Sequence, residues 1–335
     1  MKCSELLTTL GLGLAALCLP GIAYAQTEQD QGSPASSEAA TTENAPAQST
    51  SVEAVPAEIP TKPISDTLMP DPTAHWYSFG LGVGVSAAGS VTWKFYNKWT
   101  GEFRTIDEGW FGRGTYAGGA DKLGHMYTDF VLGRGFYKIY RAHNYSKADA
   151  IKYAFAAGVT TRTIMEVADG FTTFEFSAGD LTFNLLGAAS NALLLLDDDI
   201  AETFYLSWSY MPSNEVYSGY HDPFDFSTDY SGMVFGLNAD TAGVRKLLGA
   251  HEKSAWDDTF FGFNYYTRNF RQPDDSKRER FVGASLGFTL DRFITPGHWS
   301  RPVLKYVKLP YTFAGLAYSI DRTNVEAKWG LNYLF

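Results

Sequence analysis

Asp121 and His125 stand four residues apart, so on a helix they share a face, with Asp129 on the next turn. Glu166 and Asp169 lie three apart, and Asp180, Asn184, Gly187 and Asn191 step by four, three and four. Carboxylates grouped with an imidazole can form a general acid–base pair or an Asp/Glu/His metal site. We take Asp121, His125, Glu166 and Asp180 as the candidate catalytic residues. In this reading His125 is the base, and Glu166 or Asp180 orients it. No cofactor is expected; a divalent metal is the one addition that this donor set admits. No H-E-x-x-H or phosphate-binding glycine loop accompanies these residues. Each also has a plain structural use. Asp121 and Asp180 could cap helices, His125 could be a buried histidine bonded to a carboxylate, and Glu166 could pair with Lys122 or Arg162. His75, His143, His221, His251 and His298 are isolated and receive no ligand role.

These residues need helices to position them, and the spacing predicts three, within 120–198. Asp121 opens the first, from Lys122 to about Tyr140. Ser146 with Asp149 forms a capping box for the second, Lys147 to about Val167. Ser177 with Asp180 forms another for the third, Ala178 to about Leu196. Two short reversals then bring the starts of the first and third helices beside the end of the second. The third helix is strongly apolar, so its stripe of Asp180, Asn184 and Asn191 must face protein or enclosed water.

Around this block the chain divides into unlike parts. It has 335 residues, with 27 basic and 37 acidic side chains and a net charge of −10. That balance argues against nucleic acid as a partner. Residues 1–25 combine Lys2, an apolar run and Ala23-Tyr24-Ala25, the pattern of a secretory signal with the mature chain starting at Gln26. Cys3 and Cys18 both fall inside it, so the mature chain has no thiol chemistry. Residues 26–70 hold no aromatic residue and seven acidic residues against one lysine. Such a composition predicts a disordered acidic tether. Residues 71–335 form the folded, membrane-associated domain.

From 200 to 335 the patterning has period two. Phe204–Tyr210, Met233–Leu237, Phe261–Tyr265, Phe281–Asp291, Ala314–Ile320 and Asn324–Phe335 all alternate apolar with small or polar residues. The last of these, ending in Phe335, resembles the terminal strand of outer-membrane β-barrel proteins. Phe79–Val85 and Val91–Phe95 offer two more strands, with one apolar helix over 80–96 as the rival. The expected fold is therefore mixed α and β. It is an antiparallel β-rich outer-membrane domain, an eight-stranded barrel if both extra strands form, with an inserted three-helix block.

DKLGH at 121–125, EVADGF at 166–171 and SAGDLTFNLLGA at 177–188 together resemble the YfiM-like family, a predicted periplasmic lipoprotein domain of unknown function (DUF2279). The same signature is distantly similar to VanZ-like membrane proteins, and Asp229-Tyr230-Ser231-Gly232 resembles a DY-x-G element of longer members. The resemblance implies an envelope location and supplies no reaction. The chain departs from the lipoprotein label, because Leu17 precedes Cys18 where a small residue is expected. The function expected is structural or accessory: envelope assembly, or surface lipid and glycan handling at the outer membrane, with the tether in the periplasm. A lipid or glycan hydrolase and a small-solute channel are the alternatives. Outer-membrane lipid, the outer-membrane assembly machinery and an envelope glycan or lipid ligand are the expected partners.

Overall fold

The computed structural model describes residues 69–329 except 224, 299, 323 and 324. The signal segment 1–25, all but the end of the tether 26–70, and residues 324 and 330–335 of the terminal pattern lie outside the described residues.

The chain enters through helix α1 (Thr73–Thr92). This helix takes in Phe79–Val85 and the start of Val91–Phe95, so the helical alternative to the two extra strands forms but stops at Thr92, short of the expected 96, and Phe95–Asn97 is a 3-10 turn. Ala74, Ser78, Leu81 and Gly82 recur at helical spacing and are buried, and a Cβ at Gly82 would lie 2.8 Å from Thr161 Oγ1. The small residues thus set the crossing with the second long helix that follows. After the two-residue strand β1 (Thr105–Ile106) come α2 (Ala120–Ala142) and α3 (Lys147–Asp169). Strand β2 (Phe176–Ser177) pairs in parallel with β1, and α4 (Ala178–Leu194) follows it directly. Ser146 Oγ accepts from Asp149 N and Ser177 Oγ from Asp180 N, so both expected boxes start their helices. Asp121 caps nothing: Gly119 is the N-cap residue of α2, and Asp121 sits inside the first turn.

One apolar cluster, with Leu81, Leu132, Phe136, Ile139, Tyr140 and Ala154, joins α1, α2 and α3. The approach of α4 to α2 is set by Gly187, where a Cβ would overlap the Met126 carbonyl oxygen. Backbone cannot yield as a side chain can. Gly187→Ala is expected to cost at least the roughly 1–3 kcal/mol typical of an overpacked core. Gly84→Ala in α1, where nothing lies within 4 Å of the new methyl, should instead gain up to about 1 kcal/mol of helix propensity. Urea unfolding of the two variants side by side checks the contrast; equal effects would remove the close-contact argument.

The six strand patterns after residue 200 form one antiparallel sheet in sequence order: β3 (Phe204–Tyr210), β4 (Met233–Asp240), β5 (Thr259–Arg268), β6 (Glu279–Phe288), β7 (Phe313–Ser319) and β8 (Val325–Trp329). Among the described residues the expected eight-stranded outer-membrane barrel of transmembrane strands is not formed. The sheet is open, with β3 and β8 at its two ends. The physical reason is α1, which removes the two strands that closure required. The helical block accordingly precedes the sheet instead of interrupting it. No helix among the described residues is long and apolar enough to cross a membrane.

Register assigns the two sheet faces. Leu206, Leu237, Phe263, Ala284 and Leu316 form one row across five strands, beside a row of Trp208, Phe235, Tyr265, Val282 and Tyr318. The opposite face carries the row Ser207, Gly236, Asn264, Gly283 and Ala317 and the row Tyr205, Asn238, Gly262, Ser285 and Gly315. Helix α2 covers one end of the apolar face, placing Tyr127 and Phe130 in a cluster with Trp208 and Phe235. Much of the rest of that face is bare among the described residues: Phe263 is 70% exposed and Leu316 59%. The polar, small-residue face is buried instead. Lys308 belongs to that buried side, its ammonium 4.8 Å from the Tyr205 ring and 4.3 Å from Phe260. Burial there pushes its pKa down to about 8.

Candidate functional site

Three consecutive left-handed residues, Ala117, Gly118 and Gly119, turn the chain into α2. Glycine is required at 119, because a Cβ there would crowd Phe111 and the Trp110 carbonyl. This turn aims the first two turns of α2 at the end of α3 and the start of α4.

Asp121, Lys122, His125 and Asp129 come from α2, Arg162, Glu166 and Asp169 from α3, and Asp180 and Asn184 from α4. Glu108 reaches in from the loop before α2. Lys122 is 1% exposed, and its Nζ donates to Asp180 Oδ1 (2.7 Å), Asp121 Oδ2 (2.8 Å) and Glu108 Oε2 (2.5 Å). Beside it, His125 Nδ1 lies 3.0 Å from Asn184 Oδ1 and 3.4 Å from Glu166 Oε1. His125 Nε2 lies 3.6 Å from Asp180 Oδ1. Asn184 Nδ2 donates to Glu166 Oε1 (2.9 Å), which fixes the direction of its amide. Arg162 donates from Nε to Asp129 Oδ2 (3.0 Å) and from Nη2 to Asn184 Oδ1 (3.3 Å).

The four sequence-selected residues therefore lie in one cluster. Glu166 and Asp180 flank the ring of His125, and Asp121 joins through Lys122. The predicted pairing of Glu166 with Lys122 or Arg162 is not the one formed; its hydrogen bond comes from Asn184. Glu108 was not anticipated. It lies in an irregular segment whose periodicity carries no information, and its role is set by the tertiary approach of the loop. Lys122 was expected at most as a partner for Glu166, because a lysine beside a helix start reads as surface charge.

Electrostatics follow from six carboxyl groups sharing a buried space with two permanent cations. Burial pushes the Glu166 carboxyl up to about 8, those of Glu108, Asp129 and Asp169 to about 7, and that of Asp121 to about 6. Asp180 differs: burial raises it, but His125 and Lys122 hold it below its ordinary value. Burial pulls the Lys122 ammonium down, and Asp121 and Asp180 more than reverse this. Burial also lowers His125 to about 4, which leaves a neutral ring near pH 7. The cluster is not sealed. The His125 side chain keeps 20% of its surface accessible and that of Asp180 11%.

Two sets of donors lie close enough to grip a metal ion: His125, Glu166 and Asp180, and Glu108, Asp121 and Asp180. In each set the donor atoms all fall within 4.8 Å of one another.

No curated protein and no solved structure matches the chain. Residues 107–196, just over a quarter of the chain and the stretch that holds the whole cluster, match the model of a family described as predicted periplasmic lipoprotein (DUF2279), which supports an envelope role in general terms.

Proposed function

We propose that the protein is an accessory component of the cell envelope that lies against outer-membrane lipid, in envelope assembly or in the handling of surface lipid and glycan. Its tether, 26–70, is then periplasmic. The observation that carries this reading is the polarity of the six-stranded sheet. Large apolar side chains stand exposed on one face, while serine, asparagine and glycine are buried on the other. A water-facing antiparallel sheet has the reverse arrangement, and contiguous apolar surface of this extent marks a lipid or protein contact. Lipid is favoured because α1 repeats the pattern, with Trp76, Phe79 and Val83 exposed along one stripe. An apolar groove of about 670 Å³, lined by Trp256, Leu286, Phe288 and Tyr311 among others, offers room for an acyl chain. An open sheet edge cannot sit unpaired in hydrocarbon, so the sheet lies on the membrane and not through it. Outer-membrane lipid, the machinery that delivers the protein there and an envelope glycan or lipid are the partners of this reading.

The accessory role is preferred to a hydrolase using His125 as base. A ring whose proton affinity is lowered to about 4 is a weak general base near neutral pH. A channel needs a wide closed barrel, and an open sheet provides no pore wall.

Flotation of the purified full chain with phosphatidylethanolamine–phosphatidylglycerol vesicles tests the reading. Both Phe263 and Leu316 are exposed, so Phe263→Glu with Leu316→Glu should leave the fold intact. Burying such side chains is worth about 1.5–3 kcal/mol each, so the double variant is expected to lose more than about tenfold in vesicle partition. A folded double variant that floats like the parent would end the lipid reading.

A further inference from the structure

The two donor sets share Asp180, and they differ in one respect. Glu108, Asp121 and Asp180 already surround a cation, the Lys122 ammonium. His125, Glu166 and Asp180 surround none that touches all three. Lys122 reaches Asp180 of this set, and Arg162 donates to Asp129 and Asn184.

The neighbours of Nδ1 hold the His125 ring in place. Asn184 Nδ2 donates to Glu166, so Asn184 Oδ1 is the atom that faces the ring, 3.0 Å from Nδ1. In the tautomer protonated on Nδ1 the ring donates to that oxygen. Arg162 Nη2, 3.1 Å from the same nitrogen, then gives its hydrogen to Asn184 Oδ1. In the neutral ring Nε2 is left as a bare lone pair, 3.6 Å from Asp180 Oδ1, itself a pure acceptor. In that tautomer two acceptors face each other, an arrangement that a cation between them would stabilise. The spacing is close to the roughly 3.3 Å edge expected when nitrogen and oxygen ligands each lie about 2.0–2.1 Å from a zinc ion. Asp121, in the adjoining donor set, has its Oδ1 buried without a hydrogen-bond partner. The cluster also holds four more carboxyl groups than permanent cations.

We propose that His125, Glu166 and Asp180 form a binding site for one divalent transition-metal ion, with Zn²⁺ the best match to one imidazole and two carboxylates. Asn184 is a positioning residue. It holds the imidazole by Nδ1 and Glu166 by Oε1, as an outer-shell partner of a metal-bound histidine does. Asp180 can serve both Lys122 and the ion, because a carboxylate has about four acceptor positions. The accessible edge of His125 and Asp180 is the entry path. This inference stands apart from lipid association, which is read by flotation.

The test uses the purified full chain, stripped with chelator and titrated with Zn²⁺, and separately with Co²⁺ as a spectroscopic stand-in. One ion per chain is expected, and the Co²⁺ spectrum should show a nitrogen donor together with oxygen donors. Glu166→Gln and Asp180→Asn should weaken Zn²⁺ binding by more than about 100-fold, and Asn184→Ala by about 10–100-fold, the usual cost of losing an outer-shell partner. Asp199→Asn, in the exposed pair with Lys246 and outside both donor sets, should keep the site. Where a variant does not fold, the parent chain still decides: its histidine resonances, recorded with Co²⁺ bound, should include one strongly shifted ring. Failure of the stripped parent to take up an ion, a Co²⁺ complex with oxygen donors alone, or undiminished binding in folded Glu166→Gln and Asp180→Asn would each overturn the site.

Discussion

Replacing Lys122 with alanine is expected to cost about 3–5 kcal/mol, or to prevent folding altogether at neutral pH. The ammonium is the shared partner of Asp121, Asp180 and Glu108. Its removal strands carboxylates that are almost out of reach of water. The loss is of the kind seen when one member of a buried ion pair is deleted, and it far exceeds that of an exposed pair such as Lys246–Asp199. Denaturant unfolding of the full chain in detergent measures it, with Lys246→Ala as the surface control. Acidification provides a second signature. The stranded carboxyl groups can take up protons, so the deficit of the variant should shrink as the pH falls toward about 5. A deficit below about 1 kcal/mol would mean that the ammonium is dispensable.

The chelator-treated protein should also become more stable as the pH falls from about 8 to about 6.5, against the usual behaviour of acidic proteins. Glu166 has an ordinary value of 4.5 and is raised to about 8; Glu108, Asp129 and Asp169 are raised to about 7. For a carboxyl group raised on folding, the folded state holds the proton that the unfolded state has released. Its stabilising contribution is complete below the unfolded value and is lost as the pH rises through the folded one. The window closes near 6.5, because His125 is lowered from 6.5 to about 4, and its contribution is lost as the pH falls across that range. Asp180, held low, acts only in more acid solution. A net uptake of one proton corresponds to about 1.4 kcal/mol per pH unit. Urea midpoints at pH 8, 7.2 and 6.5 check the slope, and Glu166→Gln should flatten it. A midpoint that falls with acidification across this window would show that the carboxyl groups are ionised in the folded state.

Much of the local structure was legible in the residues themselves. Ser146 with Asp149 and Ser177 with Asp180 start α3 and α4 at the predicted positions, because a capping box is built from neighbours in the chain. The alternation after residue 200 predicted the six strands, and register keeps Leu206, Leu237, Phe263 and Leu316 on one face. The proximity of Asp121, His125, Glu166 and Asp180 could be anticipated as well, since helix phase and two short reversals are local properties. Other features depended on long-range packing. The glycines of 80–84 suit a strand or a close-packed helix equally, and contacts with Thr161 and Leu132 decide for α1. That choice removes two strands and leaves the sheet open, which period-two patterning alone cannot foresee. The same holds at the site. Residue types permit Glu166 to pair with either cation. Only the three-dimensional approach of Glu108 and Asp180 gives Lys122 its three carboxylates and leaves the His125 ring held by Asn184.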